Sequence, residues 1–126
     1  MIKLTLSASA LFAMFATSAL AGQAWNVNEI STAGIKTSQG VWTVNAEGGK
    51  LTGKAEMQLD NGNTLTYGLE GGVADNVYTV NLTNRSDSKK GCVWTGKNAA
   101  EPAQKSTVLM GEVVCEGSKF KVKAAF

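Results

Sequence analysis

Between Lys50 and Asp60 the chain alternates residue by residue, with Leu51, Gly53, Ala55, Met57 and Leu59 on one parity and polar residues on the other. Successive strand residues point to opposite faces, so this stretch predicts a strand with one dry face and one wet face. The same rhythm returns in Trp42, Val44 and Ala46, in Leu65, Tyr67 and Leu69, and in Tyr78, Val80 and Leu82. It returns again in Cys92, Trp94 and Gly96, in Leu109, Gly111, Val113 and Cys115, and in Phe120, Val122 and Ala124. Seven strands in an antiparallel meander are expected. "AWNVNEI" at 24–30 is a candidate eighth, and residues 31–39 read as a loop or short helical turn.

A one-residue slip at any turn would send a whole dry face outward, which makes each turn a test of the pattern. Gly48-Gly49 as a two-residue loop keeps phase, setting Ala46 opposite Leu51, Val44 opposite Gly53 and Trp42 opposite Ala55. Gly117-Ser118 in the same role sets Cys115 opposite Phe120, Val113 opposite Val122 and Gly111 opposite Ala124. On the wet face it would pair Glu116 with Lys119 and Glu112 with Lys123. Asn61-Gly62 is a two-residue hairpin signal, but that loop would place Leu59 opposite polar Thr64. A three-residue loop or a bulge is expected there instead, with Leu59 facing Leu65, Met57 facing Tyr67 and Ala55 facing Leu69.

Short, curling, alternating strands of this number make an all-β fold. A small closed or partly closed β-barrel is expected, with a β-sandwich as the alternative. Glycines and Ala124 share the dry face with Trp42, Tyr67, Tyr78, Trp94 and Phe120, a mixture that suits a filled interior or a small cavity. Should there be a cavity, Trp42, Tyr67 and Trp94 are the residues that would face a ligand.

The first residues, "MIKLTLSASALFAMFATSALA", read as a secretory signal peptide of residues 1–21. Lys3 supplies the positive start, Leu4 to Leu20 the apolar core and Ala19-Leu20-Ala21 the cleavage site. Gln23 stands where a lipidated cysteine would follow, so no lipid anchor is expected. Residues 22–126 then form a single domain, periplasmic or secreted. In that oxidising setting Cys92 and Cys115, which share a face, are expected to form a disulfide. Pairing them sets Trp94 against Val113 and Gly96 against Gly111, and closing the loop stabilises by about 3 kcal/mol. A redox role would call for close spacing or a strongly basic setting, which this pair lacks.

The chain contains no histidine, which removes Ser-His and Cys-His nucleophile activation and the commonest metal ligand. Glu56, Asp60, Glu70, Glu112 and Glu116 all fall on the wet face, so no buried acid stands out for general acid–base work. No catalytic residue, metal or cofactor is expected. With a formal net charge of +2, nothing suggests a nucleic-acid partner. Lys119, Lys121 and Lys123 make a positive stripe on the last strand. It reads as a solvated face that also guards an edge strand, with anion binding as the other reading.

Size, export signal, single disulfide and meander together resemble the small envelope barrels that inhibit lysozymes or proteases, and more distantly the avidins. The likeness is one of plan and transfers no residue role. It fits an exported, monomeric, non-enzymatic binding protein of the bacterial envelope. Such a protein would meet a protein or envelope partner through loops carrying Arg85, Lys89, Lys90, Lys97 and Lys105. One alternative is a carrier of a small apolar ligand in the barrel. The other is a small outer-membrane barrel closed by "KFKVKAAF", in which the apolar face meets lipid and the lysines line the lumen.

Overall fold

The computed structural model describes residues 22–98 and 107–126. The leader at 1–21 and the connection 99–106, with Lys105, lie outside the described residues. Eight strands run in chain order: β1 (Gln23–Ile30), β2 (Lys36–Glu47), β3 (Lys50–Leu59), β4 (Thr64–Ala74), β5 (Val77–Thr83), β6 (Cys92–Asn98), β7 (Val108–Cys115) and β8 (Ser118–Ala125). Each is antiparallel to the next, and β8 pairs back onto β1, closing the barrel. Closure leaves no free sheet edge.

The candidate eighth strand is therefore β1. Residues 36–39, expected in a loop, instead begin β2. Ser31 closes the turn before them: its hydroxyl accepts the N–H groups of Ala33 and Ile35, both at 3.2 Å. The strand was hidden because its first inward positions are Ser38 and Gly40, neither of them a large apolar residue.

Gly48 and Gly49 both take positive φ, 60° and 81°, and give the expected pairs Ala46–Leu51, Val44–Gly53 and Trp42–Ala55. The β3–β4 connection is the expected three-residue loop, Asp60-Asn61-Gly62, closed by the Leu59 N–H donating to the Asn63 carbonyl at 2.8 Å. Its pairs lie two residues from the expected ones: Met57 faces Leu65, Ala55 faces Tyr67 and Gly53 faces Leu69. The β7–β8 register also differs. Its loop is Glu116-Gly117, so Cys115 faces Ser118, Val113 faces Phe120 and Gly111 faces Val122. The turn places glycine at its one left-handed position, Gly117 with φ 80°. On the outside Glu112 consequently meets Lys121, and Lys119 and Lys123 meet Val114 and Met110. Both displacements are by two residues, which leaves every face unchanged.

The apolar parity points inward, and the interior is packed by its own rings. Phe126 stacks on Trp25 at 5.0 Å between centroids, and Trp25 lies 6.4 Å from Trp42. Trp42 meets Trp94 edge-on at 5.2 Å and Tyr67 edge-on at 6.2 Å. Such pairs add about 0.5–1.5 kcal/mol each beyond their burial. Trp94 is fully buried, and its indole N–H donates to the Val122 carbonyl at 3.2 Å. Its ring needs the space over Gly96, where an added Cβ would lie 2.3 Å from the indole. Strand curvature makes a similar demand at Gly111, where a Cβ would stand 1.7 Å from the Thr95 carbonyl oxygen. Lys119, Lys121 and Lys123 point outward and are exposed, the reverse of the arrangement a lipid-facing barrel requires.

Candidate recognition site

Three inward residues of β1 are Trp25, Val27 and Glu29, so the alternation carries a carboxylate into the barrel. Glu29 is 3% exposed, and the group that answers it comes from the loop between β5 and β6, residues 84–91. The left-handed backbone at Asn84, φ 52°, interrupts the alternation of Val80 and Leu82 and turns Arg85 inward. Arg85 is 6% exposed. That overturns its expected place on a partner-facing surface: a guanidinium survives burial only when paired, and here four of its N–H groups meet carboxylate oxygens.

The Arg85 guanidinium donates to both Glu29 oxygens, Nη1 to Oε2 at 3.0 Å and Nη2 to Oε1 at 3.2 Å. It also donates to both Asp87 oxygens, Nε to Oδ1 at 3.0 Å and Nη2 to Oδ2 at 2.7 Å. Its flat face lies 4.7 Å from the Tyr67 ring centre and 4.9 Å from that of Phe120, a cation–π pair on each. Tyr67 completes the network by donating its hydroxyl to Glu29 Oε2 at 2.8 Å while accepting the Trp42 indole N–H at 3.0 Å.

The electrostatics follow from this pairing. Burial alone would lower the Arg85 pKa, but hydrogen bonds to Asp87 and Glu29 outweigh it and hold the group charged. Burial likewise pushes the Asp87 carboxyl up, and Arg85 with the Lys89 N–H pulls it below the ordinary carboxylate range. Burial, followed by the Glu29 charge, raises the Tyr67 hydroxyl well above its ordinary value. Beyond Asp87 the alternation of charge continues to the surface, with Lys89 Nζ 3.6 Å from Asp87 Oδ2. Glu29, Arg85, Asp87 and Lys89 thus form a ladder from the core to the loop tip.

The loop is anchored at both ends. Near its start the Ser86 N–H donates to the Thr66 carbonyl at 2.9 Å, and the Ser86 hydroxyl accepts the Thr66 N–H at 3.0 Å. At its end Cys92 is bonded to Cys115, the expected disulfide, and the Glu116 N–H donates to the Lys90 carbonyl at 2.9 Å. Trp94–Val113 and Gly96–Gly111 lie in the expected register beside it. Between the anchors Ser88 takes φ 68°, uncommon for a residue other than glycine. Outside this loop lies a hollow of about 590 Å³ whose polar rim includes Asn81, Thr83, Ser88, Lys89 and Lys90.

Of the expected surface set, the structure brings Lys89 and Lys90 together, both exposed, at the end of the barrel that holds the disulfide. Lys97 is exposed too, but it belongs to β6 and lies toward the other end. Trp42, Tyr67 and Trp94 do come together inside, where Trp42 contacts both of the others. Sequence reasoning missed Glu29 and Asp87. Glu29 had a signal, its shared parity with Trp25 and Val27; Asp87 had none. Among the described residues no group of three or more His, Cys, Asp or Glu side chains is placed to hold a metal ion. Compared with known proteins, the chain matches no family model, no curated protein and no solved structure.

Proposed function

We propose that the chain is an exported, non-enzymatic binding protein of the bacterial envelope that recognises an acidic segment of a protein or other envelope partner through its β5–β6 loop. The observation that carries this reading is the loop's double anchorage. Arg85 and the disulfide fasten its two ends to the barrel, while Lys89 and Lys90 stay exposed beside a hollow of mixed polar and apolar lining. A loop already held in one shape loses little conformational entropy on binding, so more of its contact energy reaches the affinity. The left-handed Ser88 points the same way, since such strain gathers at functional loops. Export is supported by the leader pattern and by the disulfide, which persists in oxidising compartments. The carrier alternative finds less support, because Trp42, Tyr67 and Trp94 are buried, with Trp42 packed edge-on against both of the others.

A photo-crosslinking residue at position 89, in protein expressed in its native host, tests the reading. A discrete adduct is expected from position 89, weakened by Lys90→Glu, with none from position 54 on the outer face of β3. Adducts of equal yield from both positions, or from 54 alone, would overturn it.

A further inference from the structure

Although the chain is nearly neutral overall, the barrel closes in a way that sorts its surface charge by side. On the outside of β6 to β8, pairing across strands aligns Lys97 with Met110 and Lys123, Thr95 with Glu112 and Lys121, and Val93 with Val114 and Lys119. The next strand extends the middle row, because Ile30 of β1 is partnered by Lys121 on one side and Lys36 on the other. Four lysines, Lys97, Lys119, Lys121 and Lys123, thus share one face with a single strand acid, Glu112, and with Glu116 at the rim. The outer face of β2 to β4 is balanced by contrast: Glu47, Glu56 and Glu70 are set against Lys36, Lys50 and Lys54.

We propose that the β6–β7–β8 face docks on an anionic phospholipid surface. Lys119 and Lys123 are four residues apart on one strand, roughly 14 Å, and adjacent strands lie closer still. At that spacing the charges act together on a phosphate layer, within or near one screening length of about 10 Å. Between them Val114 is 46% exposed, with Val93, Met110 and Ile30 half-buried. Aliphatic patches ringed by lysine stems suit an interface where ammonium groups meet phosphates and the stems meet the acyl boundary. A nucleic-acid strand would instead be met by outward aromatic rings, and the outward residues of β6, β7 and β8 include none. This face adjoins the Lys89–Lys90 loop at Val93 and Glu116, but Lys121 and Lys123 lie outside that loop, so variants there test the proposal apart from the loop's partner.

The test is sedimentation of the disulfide-bonded protein with vesicles of phosphatidylcholine and phosphatidylglycerol, beside vesicles of phosphatidylcholine alone. Two variants with the same charge change are compared, Lys121→Ala/Lys123→Ala and Lys50→Ala/Lys54→Ala. Each lysine near an anionic surface contributes about fivefold to partitioning. Binding is expected to the anionic vesicles only, reduced about 25-fold by the first variant and less than about twofold by the second. No binding to anionic vesicles, or equal loss in the two variants, would overturn the proposal. Tighter binding to a single-stranded oligonucleotide than to the vesicles at the same salt would overturn it in favour of a nucleic-acid partner.

Discussion

Arg85→Met removes the guanidinium while keeping an unbranched chain between the Tyr67 and Phe120 rings. The Glu29 carboxylate, 3% exposed, then loses both of its cationic hydrogen bonds and keeps only the Tyr67 hydroxyl. Removing one partner of a buried ion pair costs about 3–5 kcal/mol, most of it the burden of the charge left behind. That is a large share of the roughly 5–15 kcal/mol that hold a small domain together. Glu29→Gln is expected to cost less, because Arg85 retains Asp87, whose side chain is 19% exposed and reaches solvent. The double variant Glu29→Gln/Arg85→Met buries no formal charge at either position and should be more stable than Arg85→Met alone. Urea unfolding followed by tryptophan fluorescence, with the disulfide intact, measures all three. A cost below about 1 kcal/mol for Arg85→Met, or a double variant as unstable as the sum of the singles, would refute the reasoning.

The Tyr67 hydroxyl has a pKa raised in the folded state, so its contribution is fully present below the unfolded value of about 10 and is lost as pH rises toward the folded value. Wild-type stability should therefore fall more steeply above about pH 10 than that of Tyr67→Phe, as read from chemical melts at stepped pH; parallel slopes would count against this. Trp94→Ala should cost about 3–5 kcal/mol, since it removes a fully buried ring packed on Trp42, whereas Lys121→Ala should stay within about 0.5 kcal/mol. Equal effects of the two in urea melts would mean the faces are inverted.

Period-two alternation made the barrel legible, because a strand buried on one side must repeat its apolar residues at every second position. It found the hairpin at Gly48-Gly49 with its register, and the phase that sets Cys92 beside Cys115. It fixed parity more firmly than register: the β3–β4 and β7–β8 pairs each lie two residues from their expected partners, and parity alone does not distinguish the two. It failed where the inward residue is not apolar. Ser38 and Gly40 hid the start of β2, and Glu29, a carboxylate on the parity of Trp25 and Val27, went unread as an inward residue. Arg85 was least legible of all, since its burial is licensed by a carboxylate 56 residues away and by a left-handed turn at Asn84. No local pattern records such a pairing; it exists only once the barrel has closed.

An inward arginine holds the β5–β6 loop in place, and the proposed recognition rests on that. Amide hydrogen exchange at Ser86 and Lys89 tests it most directly, because their N–H groups donate to the Thr66 carbonyl and to the Asp87 carboxylate. Both amides should exchange slowly in the wild type and lose protection together in Arg85→Met, while the Trp94 amide in β6 stays protected. Exchange of Ser86 and Lys89 at free-peptide rates in the wild type, or protection unchanged by Arg85→Met, would contradict it.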